Sequence, residues 1–305
     1  LGGDIWKLNL ATLASAKVPV TIPNDMEERR PFMKDISGNI TRADISPTGK
    51  RALIVARGEI FTLPESEGPV RNLTNSCGAR DKDAVWSPDG KWIAYFSDKS
   101  GEYELYLVSP DGKSDPVKLT SHKDGYRHTL KWSPDNRKIA WTDQTLTLYF
   151  IDVATKAITK VDKEEYENVD VSLDLKSIFD YSWSPDSRFI VYSRMNEAYM
   201  YQLYVYGLEN KTINCLSNGL FHDFNPVFTK DGEHLVFISN RRFEPTYCDL
   251  EWEMVYQKVA GIYAITLKKD GRPIVPYGSD EEPAVAPMPE STEPVTVRID
   301  LEGIT

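Results

Sequence analysis

Cysteine is scarce: three in 305 residues, Cys77, Cys215 and Cys248, odd in number, far apart and without a Cys-x-x-Cys pair. That excludes a disulfide framework and a paired-cysteine zinc site, leaving three small apolar side chains or free thiols. No apolar run approaches the roughly 18 residues of a membrane helix. The opening LGGDIWKLNL lacks the basic and then apolar profile of a secretion signal. Basic residues are in deficit, 36 Lys and Arg against 46 Asp and Glu, for a net charge of −10. Such a field repels phosphate backbones, so neither nucleic acid nor membrane is an expected partner. The expectation is a soluble, cytoplasmic chain, or a periplasmic one if a longer parent carries a signal peptide.

Chemical motifs are missing as well. There is no Gly-x-Ser-x-Gly elbow, and the nearest look-alike, Gly278-Ser279-Asp280, falls in an acidic, proline-rich stretch. Neither Gly-x-Gly-x-x-Gly nor a Walker loop occurs. The four histidines, His122, His128, His222 and His234, show no His-Glu-x-x-His spacing and read as solvated or architectural. Neighbouring acids such as Glu164-Glu165 and Asp280-Glu281-Glu282 read as charged loop. Sequons begin at Asn39, Asn72 and Asn210, and they matter only in a glycosylating pathway. On this reading the chain has no catalytic residue, no cofactor and no metal.

What the sequence does have is aromatic residues and a repeat. Thirty-four aromatics (Trp 7, Tyr 16, Phe 11) are ample for a core. Five turn segments begin at Ser46, Ser87, Ser133, Ser184 and Thr229, spaced 41, 46, 51 and 45 residues apart. Ser87-Pro-Asp-Gly-Lys91 is representative: a hydroxyl residue first, Pro at the position whose fixed φ suits a type I turn, then Asp and Gly. Ile45, Trp86, Trp132, Trp183 and Phe228 precede the turns. Six residues after each turn begins come Ala52, Ile93, Ile139, Ile190 and Leu235, and two further on Ile54, Tyr95, Trp141, Tyr192 and Phe237. Period two places each set on one strand face. Two further apolar runs complete most units, so each reads as four short antiparallel strands.

Four strands every 40 to 50 residues are the pattern of a β-propeller blade, and the absence of a long 3.6-residue period excludes a helical repeat. The fold class is therefore all-β, a propeller of four-stranded antiparallel blades. Five full blades lie at about 40–76, 81–120, 127–161, 178–217 and 222–276, with partial blades at the ends, so that the complete protein has six or seven. The domain division is 1–35, the end of a preceding propeller or a partial first blade; 36–278, the propeller blades; 279–294, an acidic Pro-rich linker; and 295–305, the first strand of a further or closing blade.

The fifth unit differs by an insertion, Asn240 to Ala260. Insertions in repeats map to loops on one face, often the binding face. Arg241 and Arg242 in it are the candidate site, suited to a peptide carboxylate by charge-assisted hydrogen bonds. The alternative is a structural one, ion pairing with Glu244, Asp249, Glu251 and Glu253.

The five turns resemble those of TolB-like propellers and of the propellers of large serine peptidases. Phe237-Ile-Ser-Asn-Arg-Arg-Phe-Glu-Pro-Thr-Tyr247, the stretch through Trp252, and Gly261-Ile-Tyr-Ala-Ile-Thr-Leu267 resemble the corresponding blade of tricorn-type serine proteases. The ending Val297-Arg-Ile-Asp-Leu-Glu-Gly-Ile304 does so too, and Gly2-Gly-Asp-Ile-Trp6 resembles the end of that family's first propeller. The resemblance implies the second propeller of a ring-forming serine peptidase that degrades oligopeptides, with the triad serine and histidine in domains beyond it. Such a propeller scaffolds and gates peptide access. Its partners would be its own downstream catalytic domains, peptide substrates and further copies of the full-length protein, and this chain alone would be inactive. Two other readings stay open: a stand-alone TolB-like protein-binding module, and the propeller of a prolyl-oligopeptidase-type enzyme.

Overall fold

The computed structural model describes residues 4–21, 35–122, 125–165, 180–242, 245–247, 254–256, 258–275 and 295–302. Two compact units divide at Gly38/Asn39. In the first, strands β1 (Trp6–Leu8) and β2 (Ser15–Lys17) form an antiparallel hairpin with Trp6 opposite Lys17. Asn9 shapes its turn, its Oδ1 accepting the Ala11 N–H at 2.9 Å, and a Lys17–Asp4 ion pair at 2.7 Å closes its open end.

The second unit is a fan of five antiparallel sheets. Blade 1 holds β3 (Ile40–Ile45), β4 (Arg51–Ala56), β5 (Glu59–Pro64) and β6 (Arg71–Asn72); blade 2 holds β7 (Asp81–Trp86), β8 (Ile93–Ser97), β9 (Glu104–Val108) and β10 (Val117–Lys118). Blade 3 comprises β11 (Arg127–Trp132), β12 (Lys138–Asp143), β13 (Thr147–Asp152) and β14 (Ile158–Lys163). Blade 4 comprises β15 (Tyr181–Trp183), β16 (Phe189–Met195), β17 (Tyr201–Gly207) and β18 (Thr212–Cys215). Blade 5 pairs β19 (Asp223–Phe228), β20 (His234–Ser239) and β23 (Gly261–Thr266) in that order, and its insertion contributes a separate two-stranded ribbon, β21 (Pro245–Tyr247) with β22 (Met254–Tyr256). In blades 1 to 4 strands follow one another as neighbours, the meander that short polar turns produce, while in blade 5 β20 pairs with β23 across the insertion.

Those turns form as their residues dictate. In blade 2 the Ser87 hydroxyl donates to Asp89 Oδ1 at 2.7 Å, the same oxygen accepts the Lys91 N–H, and the Gly90 N–H closes onto Ser87 O. The equivalent Ser or Thr to Asp bonds recur at Ser133–Asp135, Ser184–Asp186 and Thr229–Asp231. The aspartates are thus turn-formers. Successive turns are also tied to each other: the Asp89 N–H donates to Asn136 Oδ1, and the Asp135 N–H to Ser187 Oγ.

Alternation along the strands splits each blade into two faces, and the core lies between blades. Trp86, Ile93 and Tyr95 pack on Leu53, Val55 and Ile60 of blade 1, while Ala94 and Phe96 on the opposite face meet Trp132, Ile139 and Trp141 of blade 3. Trp183, Ile190 and Tyr192 close on Phe150 and Val161, and Phe228, Leu235 and Phe237 on Val191, Leu203 and Val205. The apolar set that flanks each turn is therefore the face a blade turns toward the one before it. At roughly 1.5–3 kcal/mol per buried large apolar side chain, these four seams carry most of the stabilisation.

Blade 1 lacks a predecessor in this unit, and the same repeat position there, Ile45, is 66% exposed. On blade 5 the far face carries Val227 and Ile262, also exposed. The segment 295–302 lies against blade 5: Val297 is buried in its seam with blade 4, the Val297 N–H donates to Asp186 Oδ2 at 2.7 Å, and the Asp300 N–H reaches Leu267 O at 3.0 Å.

Candidate functional site at the inner wall of the propeller

The first strands of neighbouring blades adjoin one another, β3 with β7, β7 with β11 and β15 with β19, which puts them at the inside of the fan. Side chains from one strand reach the backbone of the next. The Trp86 N–H donates to Asp44 Oδ2 at 2.9 Å, Lys82 Nζ to Arg127 O at 2.6 Å, and Ser182 Oγ to Pro226 O at 2.9 Å. Between blades 3 and 4, Lys131 Nζ donates to Tyr181 O, Trp183 Nε1 donates to Lys131 O at 3.2 Å, and the Tyr181 hydroxyl donates to Thr129 O and, at 3.0 Å, to Ala140 O. The blades are thus joined by polar links inside and by apolar seams further out.

Three first strands carry a bulge at the same repeat position. Asp83, Thr129 and Asn225, each three residues before the aromatic that precedes the turn, adopt φ of 55°, 58° and 52°, and the register shifts there. Asp and Asn tolerate this left-handed region, whereas a β-branched Thr is strained in it, by on the order of 1–3 kcal/mol. A bulge takes backbone groups out of the ladder, and at Thr129 the carbonyl so released accepts the Tyr181 hydroxyl.

Lys82 sits on this wall above Tyr126, 3.4 Å from the ring centroid, and 4.7 Å from that of Tyr103. Burial lowers its pKa to about 8, against the opposing pull of Asp83. Lys131, over the Tyr181 ring, is lowered likewise by burial.

Arg241 and Arg242 are not presented alike. Arg241 pairs with Asp223 on β19, with NH2 2.9 and 3.0 Å from the two carboxylate oxygens; its Nε donates to Ser239 Oγ, and the guanidinium lies over Phe221, Phe237 and Tyr263. It fastens the insertion to its blade. Arg242 is exposed, its N–H bonded to Val259 O. Glu244, Asp249, Glu251 and Glu253 lie outside the described residues, as do Cys248 and Asp280 to Glu282. Cys77 and Cys215 are free and exposed. His234 is buried with Nε2 2.6 Å from Arg272 O, and His222 Nδ1 accepts the Tyr201 N–H.

A polar network between blades 3 and 4 was not legible in the sequence. Asp162 accepts the Tyr192 hydroxyl at 2.6 Å and Arg194 NH1 at 2.9 Å. Glu164, which the sequence placed in a charged loop, is only 2% exposed, and its Oε1 accepts the Met195 N–H at 3.0 Å. Burial raises its pKa to about 7. A cavity of about 410 Å³ opens beside it, lined by Glu165, Arg194, Glu197 and Tyr204 among others. Glu164 and Glu165 are neighbours of opposite fate because a strand end alternates its sides, and only the partner blade tells which side is covered.

The comparisons with known proteins agree with this architecture. The family model described as the tricorn protease second beta propeller domain matches residues 40–305. The tricorn protease homolog of Saccharolobus solfataricus is 22% identical over 266 residues, covering 87% of this chain and 23% of the relative. The putative tricorn-like protease C-terminal subunit of Sulfurisphaera tokodaii is 25% identical, covering 99% of this chain and 32% of the relative. The chain thus spans about a quarter to a third of the length of these relatives. Among solved structures, the tricorn protease superposes with a TM-score of 0.72 at 17% identity, over 99% of this chain and 28% of that one. A putative TolB from Agrobacterium tumefaciens gives 0.50 at 19% identity, over 75% of this chain and 77% of that one. With its blades and its 40–305 match together, the chain belongs to the tricorn protease second β-propeller family.

Proposed function

We propose that this chain is the non-catalytic second propeller of a tricorn-like serine peptidase, scaffolding the enzyme and gating the access of peptides to catalytic domains elsewhere in the full-length protein. The observation that carries the reading is the family match over 40–305 on a fan whose first strands form one cross-linked inner wall. A wall of sheets tied by side-chain to backbone bonds is rigid, and a rigid narrow passage admits extended chains while refusing folded ones. Bulged backbone at Asp83 and Asn225 supplies hydrogen-bonding groups along the way. Arg242, exposed on the insertion, and Arg241, partly exposed and paired with Asp223, are the candidate arginines to meet a peptide carboxylate. Oligopeptide substrates, assembly of the full-length protein into a ring and a cytoplasmic setting belong to the same proposal; among the described residues no helix is long and apolar enough to cross a membrane.

The test uses the full-length protein with Cys77, Cys215 and Cys248 changed to Ser and Ser182→Cys on the wall, labelled with a bulky maleimide. A gate predicts that labelling slows hydrolysis of long peptides by tenfold or more and of tripeptides much less. Equal slowing of both, or of neither, overturns the gating role.

A further inference from the structure

Where the turns of blades 1 and 2 meet, a cavity of about 380 Å³ is lined by the Ser46–Lys50 turn, by Arg51 and Arg71, by Trp86 and by the turn residues Asp89 and Asp111. Three cations and two carboxylates surround it, but the carboxylates are engaged in their own turns. Asp89 Oδ1 accepts Ser87 Oγ and the Lys91 N–H, with Lys91 Nζ 3.4 Å from Oδ2. Asp111 Oδ1 accepts Ser109 Oγ at 2.6 Å and the Lys113 N–H at 3.0 Å. Arg51 spends NH2 on Thr62 O, Thr62 Oγ1 and Pro69 O, all neutral acceptors. Among the described residues no carboxylate lies within 4.0 Å of Arg51, Arg71 or Lys50. Arg51 Nε is buried without an acceptor, and so is Trp86 Nε1, an orphan it shares with the equivalent indole of blade 3, Trp132, while that of blade 4, Trp183, has a partner.

Like-charged guanidiniums brought together are unfavourable, which the charge of Asp111 near Arg71 offsets in part, and an orphaned buried donor is costly as well. A further negative partner would relieve both. Burial, and then the neighbouring Arg71, lower the pKa of Arg51, as expected of two cations sharing a site. A protein with a net charge of −10 is poorly disposed to attract anions in general, so a cationic hollow on it is a local, specific feature.

We infer that the cavity between blades 1 and 2 is an oxyanion site, in which Arg71 and Lys50 hold a carboxylate or phosphate ligand above Arg51, with Pro47, Pro110 and the Trp86 ring as its apolar walls. Trp86 is the residue this site shares with the inner wall, through its backbone, and the cations Lys50, Arg51 and Arg71 take no part in the wall's links, so the site stands or falls apart from the gating role.

Equilibrium dialysis of the full-length protein against labelled glutarate, labelled inorganic phosphate and neutral glutaramide tests it. The expected result is retention of at least one anion, a loss of tenfold or more in its affinity on Arg71→Gln, and no retention of glutaramide. Arg71-dependent binding of glutarate identifies an organic carboxylate as the ligand class, and Arg71-dependent binding of phosphate alone identifies an inorganic or ester phosphate. Arg71 has no side-chain partner to lose among the described residues, so an unchanged thermal midpoint should accompany the variant. Retention of neither anion, or equal retention by wild type and Arg71→Gln, overturns the site.

Discussion

Arg241 of the insertion holds both oxygens of Asp223, a carboxylate with no solvent exposure, at 2.9 and 3.0 Å. The pair joins a segment peculiar to blade 5 to the start of that blade's first strand. Removing one partner of a buried pair costs several kcal/mol because the other charge stays buried, though the arginine's partial exposure discounts this. Arg241→Met is therefore expected to destabilise by about 2–4 kcal/mol, and Arg241→Met with Asp223→Leu to recover much of that. Urea unfolding of the two variants decides it. A double variant no better than the single one would show that the pair's role is not charge compensation.

Tyr181 is the knot between blades 3 and 4, its one hydroxyl serving the carbonyls of Thr129 and Ala140. Tyr181→Phe keeps the ring and its packing but strips the donor from one buried acceptor, Ala140 O, and one half-buried, Thr129 O. The expected loss is about 1–3 kcal/mol, with no change in denaturant slope. Stability equal to wild type would mean that water replaces the hydroxyl.

Glu164 makes stability depend on pH. Its folded pKa, about 7, is raised above the 4.5 of an unperturbed glutamate, so the folded state holds the proton more tightly. The contribution is fully present below about pH 4.5 and is lost as pH rises through 7. At about 1.4 kcal/mol per pH unit, the rise from 4.5 to about 7 makes the loss on the order of 3–4 kcal/mol. Glu164→Gln keeps an oxygen for the Met195 N–H and cannot ionise. Between pH 5 and pH 8 its thermal midpoint should fall less than that of wild type, and parallel curves would remove Glu164 as the cause.

The repeat was open to reading because each level of the sequence agreed with the others: Ser-Pro-Asp-Gly names the turn, the residue before it names the strand face, and the period names the blade. All five turns formed where Ser46, Ser87, Ser133, Ser184 and Thr229 placed them. What stayed hidden depends on neighbours distant in the chain. Nothing local distinguishes Glu164 from Glu165, or tells that Arg241 finds Asp223, 18 residues earlier, rather than the acids beside it. The bulges at Asp83, Thr129 and Asn225 were equally silent, since three unlike residues share one conformation. The orphaned donors of Arg51 and Trp86 arise only where two blades meet.

The same limit yields a sharp contrast between Ile45 and Trp132, which occupy one repeat position. Trp132 packs on blade 2 in the seam that holds Val85, Phe96 and Leu107, so Trp132→Ala should cost about 3–5 kcal/mol. Ile45 faces no blade within its unit and is 66% exposed, so Ile45→Ala should stay within about 0.5 kcal/mol in this chain. Both substitutions delete the apolar residue that the turn repeat marks as core, and only packing separates them. Chemical denaturation of the two variants side by side gives the answer. A cost at Ile45 approaching that at Trp132 would mean that its face is covered in solution.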